Sequence, residues 1–480
     1  MPELSHNFKA PAPCLEDFPA DIRPWLIPDY TGDVVYECIA CGSSFGIDQF
    51  LYTCPECRSL LGLRNRDFDS LKKIPGALWR KIFDYRKLLR TESLQGIFLF
   101  KEILFPTIPL QDIIYLGEGH TALVRANNQL SELAGLDFFV KNDGFNPSAS
   151  FKDRGMASAV SFINYSIRTR GLKEVLGICA STGDTSAAAA LYLSYLDKQV
   201  VKSVVLLPQG RVTPQQLSQP LGSGALVIEI PGVFDDCMKI VEELAENYQV
   251  CLLNSKNPAR IMGQKSYAYE IAQQLCYNTK NLMVVVPIGN AGNVTAIMEG
   301  FLDLYNLNII PELPCILGVQ STHANPVAQW RKSGSYQPMK VQPSVAQAAM
   351  IGDPVSFPKV RKLVQDHFRE QFMAVAVEEQ QIIEGMLQAN RYGHVVCTQG
   401  GESIAGLKQA VSLGLVKKGQ TVVVDSTSHQ LKFSDFQQLY FDNAFPPAYE
   451  ITPREQYINK PVVLDACAEG IAQFLKLKKK

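Results

Sequence analysis

The 480-residue chain is too long for one compact core, and its 46 basic side chains are balanced by 47 acidic ones. With 46% hydrophobic and 19% charged residues it reads as ordinary globular protein, and near-neutrality leaves no bulk field to attract nucleic acid or anionic lipid. The longest apolar runs, such as "LMVVVPI" at 282–288, are far short of a membrane span, and the acidic, Pro-rich opening has no apolar signal region, so a cytoplasmic protein is expected.

Residues 1–30 read as a loosely ordered lead rich in proline. The next unit, 31–65, holds "YECIACGSSFGIDQFLYTCPECRSLL", in which Cys38 and Cys41 form one CxxC knuckle and Cys54 and Cys57 a second. Four thiolates at this spacing can converge tetrahedrally on Zn²⁺, and a full set of sulfur ligands leaves no open position, so the expectation is a structural zinc ribbon. Paired disulfides are the alternative, which a cytosolic setting disfavours. The other eight cysteines read as small buried hydrophobes. Residues 66–115 form an arm, with "ALWRKIFDYRKLL" (77–89) as its amphipathic helix.

From 116 to 440 the texture is strand, small-residue turn, helix. Strands are expected at 175–180, 203–208, 225–232, 251–254, 282–289, 315–320 and 421–427. Continuous apolar strands alternating with helices indicate a parallel α/β sheet covered on both faces, with ligands bound at the carboxyl ends of the strands. The extension 441–480 shows no usable pattern.

Several turns carry candidate chemistry. In "NPSASFKDRGMAS" Lys152 stands at a helix start, where the positive end of the macrodipole weakens its hold on a proton and suits a nucleophilic amine. "STGDTS" (181–186) offers hydroxyls and backbone donors, with N-capping as the plainer reading. "NSKNPAR" (254–260) adds Ser255 and Arg260, enough to hold an anion. "GNAGN" (289–293) brings backbone amides and a helix N-terminus to a phosphate.

A lysine in a small-residue turn, a Ser/Thr-rich turn and a GNxGN turn, in that order, resemble the fold-type-II enzymes of pyridoxal 5′-phosphate (PLP). The chain is more narrowly similar to the threonine synthase family, over roughly residues 66 to 435. "GEGHTALV" (117–124) is similar to EGNTPL, "NPSASFKDRGM" to NPTGSFKDRGM, "ASTGDTSAA" to ASTGNTSAA, and "STSHQLKF" to STAHGLKF. "ANPVAQWRKSG", "IGDPVS" and Asp184 look like the plant-type branch. The implied fold is α/β, two-lobed and tryptophan synthase β-like, with parallel sheets and the small N-terminal zinc ribbon.

The resemblance implies a role for each turn. Lys152 carries the cofactor as a Schiff base and moves protons at Cα and Cβ. Gly289, Asn290, Ala291, Gly292 and Asn293 cradle the cofactor phosphate, and Thr427 hydrogen-bonds the pyridine nitrogen. Asp184 stands where the family commonly has the Asn that contacts the phenolic oxygen. Ser181, Thr182 and Thr185 take the substrate carboxylate. Thr185, Ser255, Arg260 and Asn290 take the substrate phosphate.

The implied reaction converts O-phospho-L-homoserine and water to L-threonine and phosphate, by a carbon–oxygen lyase acting as a homodimer. One alternative is a replacement enzyme on another phosphorylated amino acid, such as cysteate synthase using phosphoserine and sulfite. A non-enzymatic alternative makes the ribbon a binding module on a decayed enzyme. The plant-type likeness also raises S-adenosylmethionine activation as a hypothesis. Departures from the family are Asp184, Glu402 in "TQGGESIAGL", placed near the site, and Gln430 where the family has glycine.

Overall fold

The computed structural model describes residues 14–181, 183–209, 214–232 and 234–478. Among the described residues thirteen strands build three sheets. β1 (Val34–Cys38), β2 (Ser44–Phe45) and β3 (Leu61–Asn65) form the antiparallel ribbon sheet, in the order β2-β1-β3. The larger lobe holds β4 (Leu123–Arg125), β5 (Phe139–Asn142), β10 (Leu282–Pro287), β11 (Cys315–Ser321), β12 (Phe372–Val377) and β13 (Thr421–Ser426), ordered β12-β11-β10-β13-β5-β4. All its pairings are parallel except β4 with β5. The smaller lobe holds β6 (Val175–Ala180), β7 (Val201–Pro208), β8 (Leu226–Ile230) and β9 (Val250–Leu252), all parallel, ordered β8-β7-β6-β9.

The apolar runs behave as the buried-strand rule requires. β10, "LMVVVP", lies between β11 and β13 with every residue buried, because helices cover both faces of a parallel sheet. The seven expected strands are all present. The short β4 and β5 and the Ala-bearing β12 were not expected. β5 is only four residues long and ends in Lys141 and Asn142, whose polarity hides it among loops. β12, "FMAVAV", mixes alanines with β-branched residues, a run with no strong periodicity of either kind.

The arm helix runs Gly76–Arg86, burying Trp79, Ile82, Phe83 and Arg86. Arg86 pairs with Glu102 at 2.6 Å and donates to the carbonyls of Trp25, Leu26 and Leu99. These bonds tie down the lead. Within residues 14–30 the lead is anchored at two points, with Ile22 and Leu26 fully buried against Leu89 and Leu94. In the C-terminal extension Phe445 stacks on Phe436 of the large lobe and Tyr449 meets the same ring edge-on. No described helix is long and apolar enough to cross a membrane.

Candidate active site

The lysine turn is bolted to the end of β13. Phe151 N–H donates to Thr427 O at 2.8 Å, His429 N–H to Ala149 O at 3.0 Å, and Ser150 bridges Ser428. Ala149 is left-handed at φ 65°, the kink that turns the chain into the helix Lys152–Arg170. Lys152 is the first residue of that helix and projects into a cavity between the lobes. Burial, then the Arg260 charge, bring its amine down to about 7, against a smaller upward pull from Asp184. The neutral, nucleophilic form is therefore well populated at neutral pH.

The other two charges of "FKDRG" work behind the lysine. Asp153 Oδ2 accepts from Ser148 N–H at 2.8 Å and closes the turn. Arg154, fully buried, donates to Asp143 at 2.7 and 2.8 Å and to Glu270 at 2.5 and 2.9 Å, and Lys141 reaches Glu270 at 2.7 Å. Two buried cations thus face two buried carboxylates in bidentate geometry, an arrangement whose members cannot be removed singly without leaving an uncompensated charge. Glu270 comes from "GQKSYAYEI", so this network explains two motifs at once.

Across the cavity stands the turn after β10. Ala291, at φ 60°, precedes the helix Gly292–Asn306, whose first N–H groups have no intrahelical acceptor. A Cβ at Gly289 would lie 2.9 Å from Ala349 Cα, so glycine is required for this close approach. Asn293 anchors the loop through Nδ2 to Asp425 Oδ2 at 2.8 Å, and Asn290 O accepts from Ser356 N–H. Asp184 and Thr427 line the same space. The Asp184 carboxylate does not stand bare: Ser428 Oγ donates to its Oδ2, and Lys432 Nζ lies 3.1 Å from its Oδ1. The negative charge that departs from the family pattern is thereby neutralised within the site.

Ser255 and Arg260 follow β9 and reach the cavity from the other side. Arg260, 2% exposed, spends Nη1 on Leu253 O at 3.0 Å and leaves Nε buried without a partner among the described residues. An unpaired buried guanidinium donor aimed at a cavity fits an anionic ligand. Ten of the expected residues therefore share one cavity: Lys152, Asp184, Ser255, Arg260, the five of 289–293, and Thr427. Ser181 and Thr185 do not line it. They are half-buried at the end of β6, where Ser181 Oγ accepts from Gly183 N–H at 3.2 Å. Thr182 lies outside the described residues.

The region 398–407 needs correcting. Glu402 is buried one turn deeper in the helix Thr398–Ser412 and does not line the cavity; burial, then Glu379, push its carboxyl well above the usual range. Gln430 turns away to Gln437. The residue that reaches the cavity is Gln399, three positions before the glutamate that departs from the family motif. Its signal was its place in the first turn of a helix that begins beside a strand end.

In the ribbon, the ligand atoms of Cys38, Cys41, Cys54 and Cys57 all lie within 4.8 Å of one another, with Sγ pairs at 3.4 and 3.7 Å. Tetrahedral Zn–S bonds of about 2.3 Å place sulfurs ~3.8 Å apart, so the donor set fits zinc. The ribbon touches both lobes. Tyr52 Oη accepts from Leu252 N–H at 2.9 Å and donates to Val250 O at 3.4 Å, while Lys359 Nζ donates to Leu61 O at 2.8 Å.

A family model described as "Pyridoxal-phosphate dependent enzyme" matches residues 114–427. The chain is 37% identical over 405 residues to a threonine synthase of Methanocaldococcus jannaschii, covering 84% of this chain and 94% of that one. It is 33% identical over 398 residues to chloroplastic threonine synthase 2 of Arabidopsis thaliana, covering 82% and 75%. Among solved structures, threonine synthase from Escherichia coli superposes with a TM-score of 0.63 at 18% identity, over 92% of this chain and 99% of that one. The yeast threonine synthase gives 0.62 at 18% identity, over 90% and 94%. At such identities the structural likeness speaks for the fold, which is the two-lobed one described above.

Proposed function

The chain belongs to the pyridoxal-phosphate dependent enzymes, among their threonine synthases, and we propose that it converts O-phospho-L-homoserine and water to L-threonine and phosphate in the cavity around Lys152. The observation that carries this reading is a cavity with two anion-competent ends on either side of a near-neutral lysine. The 289–293 turn supplies one end and the unpartnered Nε of Arg260 the other. One anion site suffices for the cofactor; the second fits a substrate with its own phosphate.

Bound to Lys152, PLP supplies an electron-withdrawing ring that stabilises negative charge on the substrate carbon skeleton. The residues present fit that group. Backbone amides of Gly289, Asn290, Ala291, Gly292 and Asn293 would hold its phosphate at the helix N-terminus. Thr427 would meet the ring nitrogen with a hydroxyl, which does not enforce protonation there. Asp184, held by Ser428 and Lys432, would stand by the phenolic oxygen as part of a neutral cluster. The Lys152 amine takes the proton from Cα and then one from Cβ, and its lowered proton affinity suits it both to accept and to return them. Ser255, Arg260, Thr185 and Asn290 bind the substrate phosphate, and Arg260 neutralises charge as that group departs. Ser181, Thr182 and Thr185 bind the carboxylate, which requires Ser181 and Thr185 to move onto the cavity.

Structural Zn²⁺ at Cys38, Cys41, Cys54 and Cys57, a cytoplasmic location and a homodimer complete the proposal. The test is phosphate release from O-phospho-L-homoserine with threonine measured alongside, and Lys152→Ala as control. Equal yields of both products, lost in the control, support the reading. PLP-loaded protein that releases no phosphate would sink it, and phosphoserine with sulfite would be tried next.

A further inference from the structure

Gln399 is the second residue of the Thr398–Ser412 helix and is 3% exposed, yet it lines the catalytic cavity. Both ends of its side-chain amide, Nε2 and Oε1, are buried without a hydrogen-bond partner among the described residues. Two residues earlier, Cys397 Sγ lies 3.5 Å from Thr427 Oγ1. The helix start therefore stands against the strand end that is bonded to Phe151, the neighbour of Lys152.

A buried amide with both ends unanswered is destabilising until a ligand satisfies it, and it needs a ligand that accepts from nitrogen and donates to oxygen. The oxygens of the substrate's phosphate ester dianion and of its carboxylate only accept. They also have a better donor in Arg260. Gln264 Oε1, the other unpartnered buried amide atom in the cavity, can only accept. The group that both donates and accepts is a neutral hydroxyl, and in the proposed reaction that description fits water and the alcohol it becomes.

We infer that Gln399 holds the water whose oxygen ends on Cβ, and so decides the fate of the unsaturated amino acid left when phosphate departs. This rests on the reaction proposed above. The Cγ–O bond breaks with its electron pair on phosphate. Water's oxygen and one hydrogen form the new hydroxyl on Cβ. Water's second hydrogen and the one lost from Cβ end on Cγ and on the released phosphate. Without a held water, the unsaturated amino acid takes its proton at Cγ, leaves as an enamine, and is hydrolysed by bulk water to 2-oxobutanoate and ammonia.

The experiment measures phosphate, threonine and 2-oxobutanoate from O-phospho-L-homoserine, using PLP-loaded wild type, Gln399→Ala and the volume-conserving Gln399→Met. In the wild type the ratio of threonine to phosphate is expected to be one. In both variants that ratio falls by about tenfold, with the deficit recovered as 2-oxobutanoate, since positioning of the attacking group is what is lost. An unchanged ratio in either variant, whatever happens to KM, overturns the inference. Loss of the PLP absorbance in both variants also overturns it, because Gln399 would then hold the cofactor. A wild type that releases no phosphate sinks the proposed reaction instead, so the two failures are distinct.

Discussion

The two sheets that flank the cavity are buried alike but bring different turns to it. β10 is buried throughout, β13 but for its first residue and β6 but for its second, while the edge strands β4 and β8 hold no buried residue. The difference lies in the turns. The 289–293 loop and Thr427 already line the cavity, whereas Ser181 and Thr185 at the end of β6 stand off it. On the proposed reaction this is a division of labour: the larger sheet's turns would cradle the cofactor where they already stand, and the smaller sheet's Ser181 and Thr185 would have to come onto the cavity to hold the substrate.

The largest effect tests the point where the sheets meet. Lys152→Ala should lower threonine formation by roughly a thousandfold or more, since both the covalent attachment and the proton transfers are lost. Retained turnover in a rate assay would break the comparison at its centre. Next, Arg260→Gln should raise KM for the phosphorylated substrate about 10- to 100-fold, the worth of a charge-assisted hydrogen bond or two, while PLP absorbance persists. A loss of cofactor would show that the two anion sites are not separate. Ser181→Ala should change KM only by about threefold to tenfold, the scale of one hydrogen bond, and leave cofactor affinity untouched. Weaker cofactor binding in a PLP titration would mean that the smaller sheet helps to build the cradle.

The smallest effect is a shift in pH. Lys152 reacts with the cofactor aldehyde as the neutral amine, so the rate of PLP uptake by stripped enzyme should rise through pH about 7 and then level. Arg260 lowers the proton affinity of Lys152 and Asp184 raises it. Arg260→Gln should therefore move the profile to higher pH, and Asp184→Asn to lower pH. Stopped-flow absorbance reads both directions, and shifts of the same sign in the two variants would contradict the charge arrangement.

The parts of this site that were legible in the sequence are those held by local backbone geometry. Lys152 at a helix start, the glycines of 289–293 and the apolar runs of β6 and β10 each depend on a few neighbouring residues. Partners that meet only on folding stayed hidden. Nothing near Asp184 in the chain announces Ser428 and Lys432, and nothing near Arg154 announces Glu270. Glu402 shows the opposite failing. A rare residue in a familiar motif looked functional, but one helical turn carried it below the cavity and left Gln399 at the wall. The lead misled for a related reason: its prolines suggest looseness, and the contacts that pack Leu26 come from the arm.

The Tyr52 hydroxyl has a consequence beyond joining two parts of the molecule. β9 is an outer strand of the smaller sheet, and β6 occupies only one of its sides. On the other side Tyr52 takes up the N–H of Leu252 and the carbonyl of Val250. Those are the groups through which an outer strand recruits a strand from another chain, the usual first step toward aggregation. The ribbon thus acts as a stopper on an open seam, and with Zn²⁺ bound as proposed, stripping the metal would be expected to uncover it.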